Sequence, residues 1–433
     1  MIGVLHLALA SSRALGSGRR AWYAYGAVVL ATAVVAALSL TGVESAGVAP
    51  APLGGIVRSW TTPAALMSVV AGSTCLSAVS RLTQSQFDPT RRAWVGLGVL
   101  PWQGRALIVA EAGAVAAVAT GAGLGAVILA AAIGSPLPTP WGALVLTTGP
   151  LVTIGTPVVV ALATGPALMD ATRRFPTRPR RSTITRAVST AVPASGVALV
   201  LALMPSGPTG DDEIGELVPW SLLVLVLGAV AASRVAPSAG RLVVGGVVRA
   251  TSAGRWTVPR LALTAVAVAL RRDGAGISVP MVGVAVPGGL TSVFLAGDEA
   301  LRAAGSLTPS GATVNWPAVI GLATAPAVLA AITGALLFGL SAPVRQDTGR
   351  TLLAAGATPT TLWAIAACEA VLIWGLGTLG AVAVITVSAV PLLSAAESGL
   401  GTGTAVVLNP LTLCCSGVAL LALLIGSSLS RRS

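Results

Sequence analysis

What most constrains this chain is a succession of long apolar runs separated by short polar connections. Ten are long enough to consider as membrane spans: Ala21–Leu40, Thr61–Ser80, Ala106–Ile133, Ala143–Met169, Ala187–Met204, Leu217–Ala232, Ile277–Gly297, Ala318–Leu340, Leu362–Val387 and Ala405–Ile425. About 20 residues of helix cross a hydrocarbon core of roughly 30 Å. Backbone polar groups in lipid must be satisfied within their own segment, so such runs are expected to be helical. Only 9% of residues are charged and the mean hydropathy is +0.88, whereas soluble domains carry about 25% charged residues. The expected fold class is an all-α integral membrane protein with about ten transmembrane helices.

Orientation follows from charge, because short cytoplasmic loops collect Lys and Arg. The 26 basic residues are all arginine, and with both termini inside only Arg58 and Arg302 fall in exterior loops. Acidic residues run the other way: Glu44, Asp211, Asp212, Glu213, Glu216, Asp298, Glu299 and Glu397 lie outside. The expected location is the cell (plasma) membrane, multi-pass, with both termini cytoplasmic. This distribution also accounts for the net charge of +12. A nucleic-acid footprint would cluster on one element, so nucleic acid is not an expected partner. The lipid bilayer, with its anionic inner leaflet, is.

Enzymatic chemistry has little to work with. His6 is the single histidine, and Cys75, Cys368, Cys414 and Cys415 all lie in apolar runs, where a thiol behaves as a small hydrophobe. Neither a disulfide nor a metal site is expected, and no residue set suits acid–base catalysis. The exterior acidic turn at Asp211 to Glu216 lacks the spacing of a calcium loop and reads as solvated. With no lysine anywhere, a phosphate-binding P-loop is excluded.

One stretch occurs twice. From Arg92 and again from Arg350 the chain reads R-x5-G-x2-P-x9-E. The pairs Arg92/Arg350, Gly98/Gly356, Pro101/Pro359 and Glu111/Glu369 are each 258 residues apart. Both copies run from a basic turn into an apolar helix, with Gly and Pro ending one element and opening the next. Leu261–Leu270 is apolar too, but as a helix it extends only about 15 Å. It precedes Arg271 and Arg272 much as Leu7–Ala10 precedes Arg19 and Arg20. The expected division is a first repeat of four spans in residues 1–170, a basic linker with two linking spans in 171–250, and a second four-span repeat in 251–433. Two linking spans is an even number, so the repeats are parallel and both motif loops are cytoplasmic. A surface duplicated about such an axis suits a two-fold partner.

The pattern R-x5-G-[AV]-x-P, followed by a glutamate in the next span, resembles the FtsX/MacB family of ABC transporter permeases. The two-repeat, ten-helix layout is similar to the single-chain bacitracin-resistance-type permeases. The resemblance covers roughly Arg81 to Met169 and Ala318 to Ile425. It implies two FtsX-like repeats and a separate ABC ATPase dimer docked on two coupling loops, formed by Arg92, Gly98 and Pro101 and by Arg350, Gly356 and Pro359. It implies that ATP and magnesium are held by that partner, with no cofactor on this chain. The implied role is the permease subunit of an ABC transporter, moving an amphipathic substrate such as an antimicrobial peptide or lipid. Relatives usually carry a large extracellular domain, but here the corresponding loops, Thr41–Trp60 and Asp298–Pro317, are short. A substrate taken laterally from the bilayer, or a second membrane subunit, fits better. The alternatives from other classes are an ATPase-driven signal or mechanical transducer and an ion-coupled secondary carrier.

Glu111 and Glu369 are the only carboxylates within spans, and an intramembrane ionisable residue is a functional hypothesis by default. Their position near the cytoplasmic end favours fixing the loop against its span over carrying protons. Arg92 and Arg350 either pair with carboxylates on the ATPase or flank their spans as positive charge. Gly121-x3-Gly125 is expected to allow close helix packing. Gly375-x-Gly377-x2-Gly380 matches a dinucleotide fingerprint in letters alone, since no strand precedes it; packing is again the expected role.

Overall fold

The computed structural model describes residues 16–48, 67–83, 99–132, 149–173, 182–204, 211–250, 257–272, 275–303, 316–341, 349–395 and 406–432. The motif residues Arg92 and Gly98 lie outside them, as does the Leu7–Ala10 segment. The described residues form helices and turns and contain no strand. The helices are α1 (Gly16–Val48), α2 (67–83), α3 (Pro101–Ala132), α4 (Pro150–Arg173), α5 (Ser182–Leu203) and α6 (Asp211–Ala250), then α7 (Thr257–Arg272), α8 (Ala275–Ala303), α9 (Trp316–Leu340), α10 (Pro359–Ala395) and α11 (Pro410–Arg432).

Among the described residues seven helices are long and apolar enough to cross a membrane: α1, α3, α4, α6, α8, α10 and α11. Helices α5 and α9 are apolar over shorter described stretches, Ala191–Leu203 and Pro326–Leu337. The protein is thus all-helical over these residues and compatible with a multi-pass membrane protein.

Four of the long helices, α3, α4, α10 and α11, open on a proline. At the first helical position the missing N–H is not needed and the fixed φ is already helical. Pro101 and Pro359 are therefore the first residues of their helices, whereas the apolar runs alone place those starts at Ala106 and Leu362.

Helix α8 is the centre of the bundle, with 89% of its apolar window buried. Helices α6, α9, α10 and α11 pack around it. Its Val279, Met281, Val282, Val284 and Val293 are essentially inaccessible. Helix α1 plays the corresponding part for α3 and α4. The pairings α1–α3, α1–α4 and α3–α4 thus have counterparts in α8–α10, α8–α11 and α10–α11. The groups meet where α9 packs on α1 and where Cys75 of α2 is a hydrogen-bond partner of Thr333 on α9.

Contacts near helix ends fix how several helices run relative to one another. Ser39 and Ser68 join the end of α1 to the start of α2 at 3.3 Å. Ser80 donates to Ala167 O at 3.4 Å, joining the ends of α2 and α4. Ser292 donates to Val406 O at 3.0 Å, joining the later half of α8 to the residues just before α11.

Two local expectations are corrected. The sixth span was expected to end at Ala232, but α6 continues unbroken to Ala250 through Arg234 and Pro237. Its extension is held by tertiary packing: Val244 is buried in one cluster with Leu263, Val266 and Leu270 of α7 and Ile277 of α8. Arg241 Nε donates to Leu270 O at 2.6 Å. The second correction concerns Gly121 and Gly125, beside whose Cβ positions nothing lies within 4 Å. The close approach is made instead by Gly123, where a Cβ would stand 2.9 Å from Ala33 Cβ and 3.2 Å from Leu30 O of α1.

Candidate functional site

The second copy of the repeated stretch is described in full, and its letters have physical reasons. Residues 349–354 form a short helix carrying Arg350 on its exposed side. Gly356 ends it with φ 91°, a conformation that side chains with a Cβ adopt reluctantly. The Gly356 N–H donates to Leu353 O and the Ala357 N–H to Leu352 O, both at 2.9 Å. These two bonds are the reciprocal pair of a Schellman cap, which satisfies carbonyls that a helix end leaves over.

The next helix begins two residues later. Thr358 is its N-cap: Thr361 N–H donates to Thr358 Oγ1 at 3.3 Å, and Leu362 N–H to Thr358 O at 3.2 Å. Pro359 follows as the first residue of α10. The spacing G-x2-P is thus a helix stop, one linking residue, a helix cap and a helix start.

In the first copy the described part begins at Val99. Leu100 occupies the N-cap position, and its N–H donates to Gln103 Oε1 at 3.0 Å. Gly104 N–H donates to Leu100 O at 3.1 Å. Without a capping hydroxyl at Leu100, a side chain three residues on reaches back, the second half of a capping box. Pro101 again opens the helix.

Both motif glutamates fall ten residues after the proline, about 15 Å along the helix axis. They differ in setting. Glu369 is 6% exposed beside Ala370, which is packed with Ile373, Ile277 and Leu423. Glu111 is half-buried. Each takes part in interactions with its surroundings. Helix α10 is further tied to α11 by Trp374, whose Nε1 donates to Ser416 O at 2.9 Å and lies 3.0 Å from Ser416 Oγ.

The sequence reading missed the apolar side chains at the tips. Leu100 and Trp102 in the first copy, and Leu353 and Trp363 in the second, are all exposed. A tryptophan within four residues of each motif proline is the sequence signal for them. Exposed Trp and Leu beside an arginine suit an interfacial belt or a protein contact. Among the described residues no group of three or more His, Cys, Asp or Glu side chains is placed to hold a metal.

The Gly375 to Gly380 stretch serves packing. A Cβ on Gly377 would lie 3.0 Å from Pro280 Cγ, 3.2 Å from Met281 N and 3.3 Å from Ile277 O, so this glycine lets α10 lie directly on the backbone of α8. Compared with protein-family models, curated proteins and solved structures, the chain gives no match.

Proposed function

We propose that this chain is the permease subunit of an ABC transporter of the FtsX/MacB type, built as two parallel four-helix repeats with a two-helix linker. A separate ABC ATPase dimer docks on the two cytoplasmic joints and supplies ATP and magnesium. The substrate is amphipathic, a peptide or a lipid, and reaches the protein laterally or through a second membrane subunit.

The observation that carries this reading is the duplicated joint. In both copies a proline opens a long apolar helix, a carboxylate follows ten residues on, and that helix packs on the first long helix of its own half, α1 or α8. Where the preceding turn is described, it is a rigid, capped, exposed hairpin that presents Arg350, Leu353 and Trp363. Such a joint transmits a push because neither the Schellman cap nor the proline start bends easily, and the buried Glu369 lies about three turns above it. The matching helix pairings in the two groups support the repeat reading, and the arginine positions support placing both termini in the cytoplasm.

The test is co-purification of the chain in lipid with the ABC ATPase encoded beside it, followed by ATP turnover with and without amphipathic peptides. A stable complex whose turnover responds to a peptide supports the proposal. If that ATPase does not bind, the joint is not a coupling element, and transport driven by a proton gradient would move Glu111 and Glu369 to the centre of the mechanism.

A further inference from the structure

Helices α3 and α10 are counterparts in the repeat, and they are covered differently. At the 258-residue offset of the repeated stretch, Ala119 and Gly123 of α3 correspond to Gly377 and Ala381 of α10. All four are buried. They lie on the face that meets α1 in the first half, by way of Gly123, and α8 in the second, by way of Gly377.

A second face behaves otherwise. On α10 it is covered by α6 of the linker. Val384 is 7% exposed, with Cγ1 3.3 Å from the place a Cβ of Gly228 would take, and Leu376 Cδ1 lies 4.0 Å from that of Gly240. The counterparts on α3 are Val118 and Ala126. Val118 is 74% exposed, and Ala126 is exposed too. Among the described residues α3 packs on α1 and α4, whereas α10 packs on α6, α7, α8 and α11. The same repeat positions thus carry a packed helix in the second half and face outwards in the first.

Beside Val118 and Ala126 runs Gly113-x3-Ala117-x3-Gly121-x3-Gly125, a line of minimal side chains along about 18 Å of helix. Nothing lies within 4 Å of the Cβ positions of its three glycines. Glycine is a poorer helix former than alanine, and acyl chains pack as well on alanine. A second helix does benefit, because small residues four apart let two backbones approach closely. The covered face of α10 shows the kind of neighbour such positions take, and the composition of α3 suits the same kind.

Copies of one chain share a single orientation in a membrane, so two α3 helices meet in parallel about an axis along the membrane normal. Matching small-x3-small lines make that crossing. No charge opposes it, since none occurs between Glu111 and Asp170.

We propose that the Gly113–Ala126 face of α3 joins two copies of this chain in the bilayer, with Gly121 and Gly125 at the crossing. The pairing rests on the membrane-spanning, two-repeat part of the function proposed above. It does not involve the ATPase and is measured without one, so its failure leaves the coupling reading intact.

The experiment is energy transfer between donor- and acceptor-labelled full-length chains in phosphatidylcholine vesicles, over a series of protein-to-lipid ratios, with native mass spectrometry for stoichiometry. Wild-type protein is expected to be dimeric and to dissociate on dilution. Gly121→Leu combined with Gly125→Leu forces the backbones apart and should weaken the dimer about tenfold or more. Gly417→Leu, at a glycine of α11 that also has nothing within 4 Å of its Cβ position, should leave it unchanged. Ala122→Phe, on the same exposed face, repeats the test if the leucine pair does not fold.

A wild-type chain that is monomeric at every ratio overturns the proposal. So does a dimer that persists undiminished in a folded leucine or phenylalanine variant, or one that Gly417→Leu weakens equally.

Discussion

The amide of Ala357 donates to the carbonyl of Leu352 at 2.9 Å, closing the chain over Gly356 at φ 91°. Nothing lies within 4 Å of the position a Cβ would take at Gly356. Substitution there is therefore opposed by backbone conformation alone, and side chains should rank by their tolerance of the left-handed region. Gly356→Asn should cost least, since Asn visits that region readily. Gly356→Ala should cost about 1–2 kcal/mol, and the β-branched Gly356→Val more. Thermal unfolding in detergent gives the ranking, and ATP turnover with the ATPase proposed as partner should fall in the same order. A steric cause would instead rank the variants by size, placing Asn close to Val.

Much of this joint was legible in the letters, because Gly and Pro act through their own backbone. A glycine that stops a helix and a proline that starts one need no knowledge of the neighbours, and Gly356 and Pro359 do what their spacing implies. What could not be read is whatever depends on a partner helix. Arg234 and Pro237 punctuate α6 locally, yet the helix runs on to Ala250 because α7 covers Val244. Gly121 and Gly125 have the right spacing for a close crossing, but α1 meets the other face, at Gly123. The two glutamates are equivalent in the repeat and differ in burial, because α10 is enclosed by α6, α7, α8 and α11 while α3 meets α1 and α4.

That difference between Glu369 and Glu111 yields a second prediction. Glu369→Gln with Glu111→Gln should leave the protein folded and abolish peptide-stimulated ATP hydrolysis. Of the single variants, Glu369→Gln should do the greater harm, about tenfold in stimulated turnover, since its carboxylate is the more buried and hydrogen bonds to charged groups contribute about 1.5–3 kcal/mol. Transport should be insensitive to collapse of a proton gradient. Wild-type transport that stops when the gradient is collapsed would instead make the pair proton carriers.

The glycines of α3 and α10 allow a comparison of packing with propensity. Replacing a helical glycine by alanine gains about 1 kcal/mol where nothing opposes it. Gly125→Ala, facing open space, should therefore hold or raise the unfolding temperature. Gly123→Ala and Gly377→Ala press a methyl against the backbone of α1 and α8 respectively, and overpacking of this kind costs about 1–3 kcal/mol. Both should lower the unfolding temperature. If all three variants move together, the close crossings at Gly123 and Gly377 do not exist in the folded protein.

The start of α11 supplies the last prediction. Asn409 is 3% exposed, and its Nδ2 donates to Thr291 Oγ1, Ser292 Oγ and Val406 O, all at 3.1 Å. Its Oδ1 accepts from Thr412 N–H at 2.9 Å and Thr412 Oγ1 at 3.1 Å. One side chain thus caps α11 and binds it to α8. Because the Thr291 proton goes to a carbonyl of α8 and the Ser292 proton to Gly288 O or Val406 O, a donor at position 409 serves the lone pairs of both hydroxyls. Asn409→Asp keeps the cap and removes the three donations; Asn409→Leu removes both. The cap contributes about 1 kcal/mol, and each buried acceptor left without its donor costs about 1–3 kcal/mol. Asn409→Leu should therefore cost at least about 3 kcal/mol in thermal unfolding. Asn409→Asp should be at least as damaging despite its intact cap, because it sets a carboxylate against hydroxyl oxygens and a carbonyl. An Asp variant as stable as wild type would mean that the cap alone holds α11, and that the link to α8 contributes nothing.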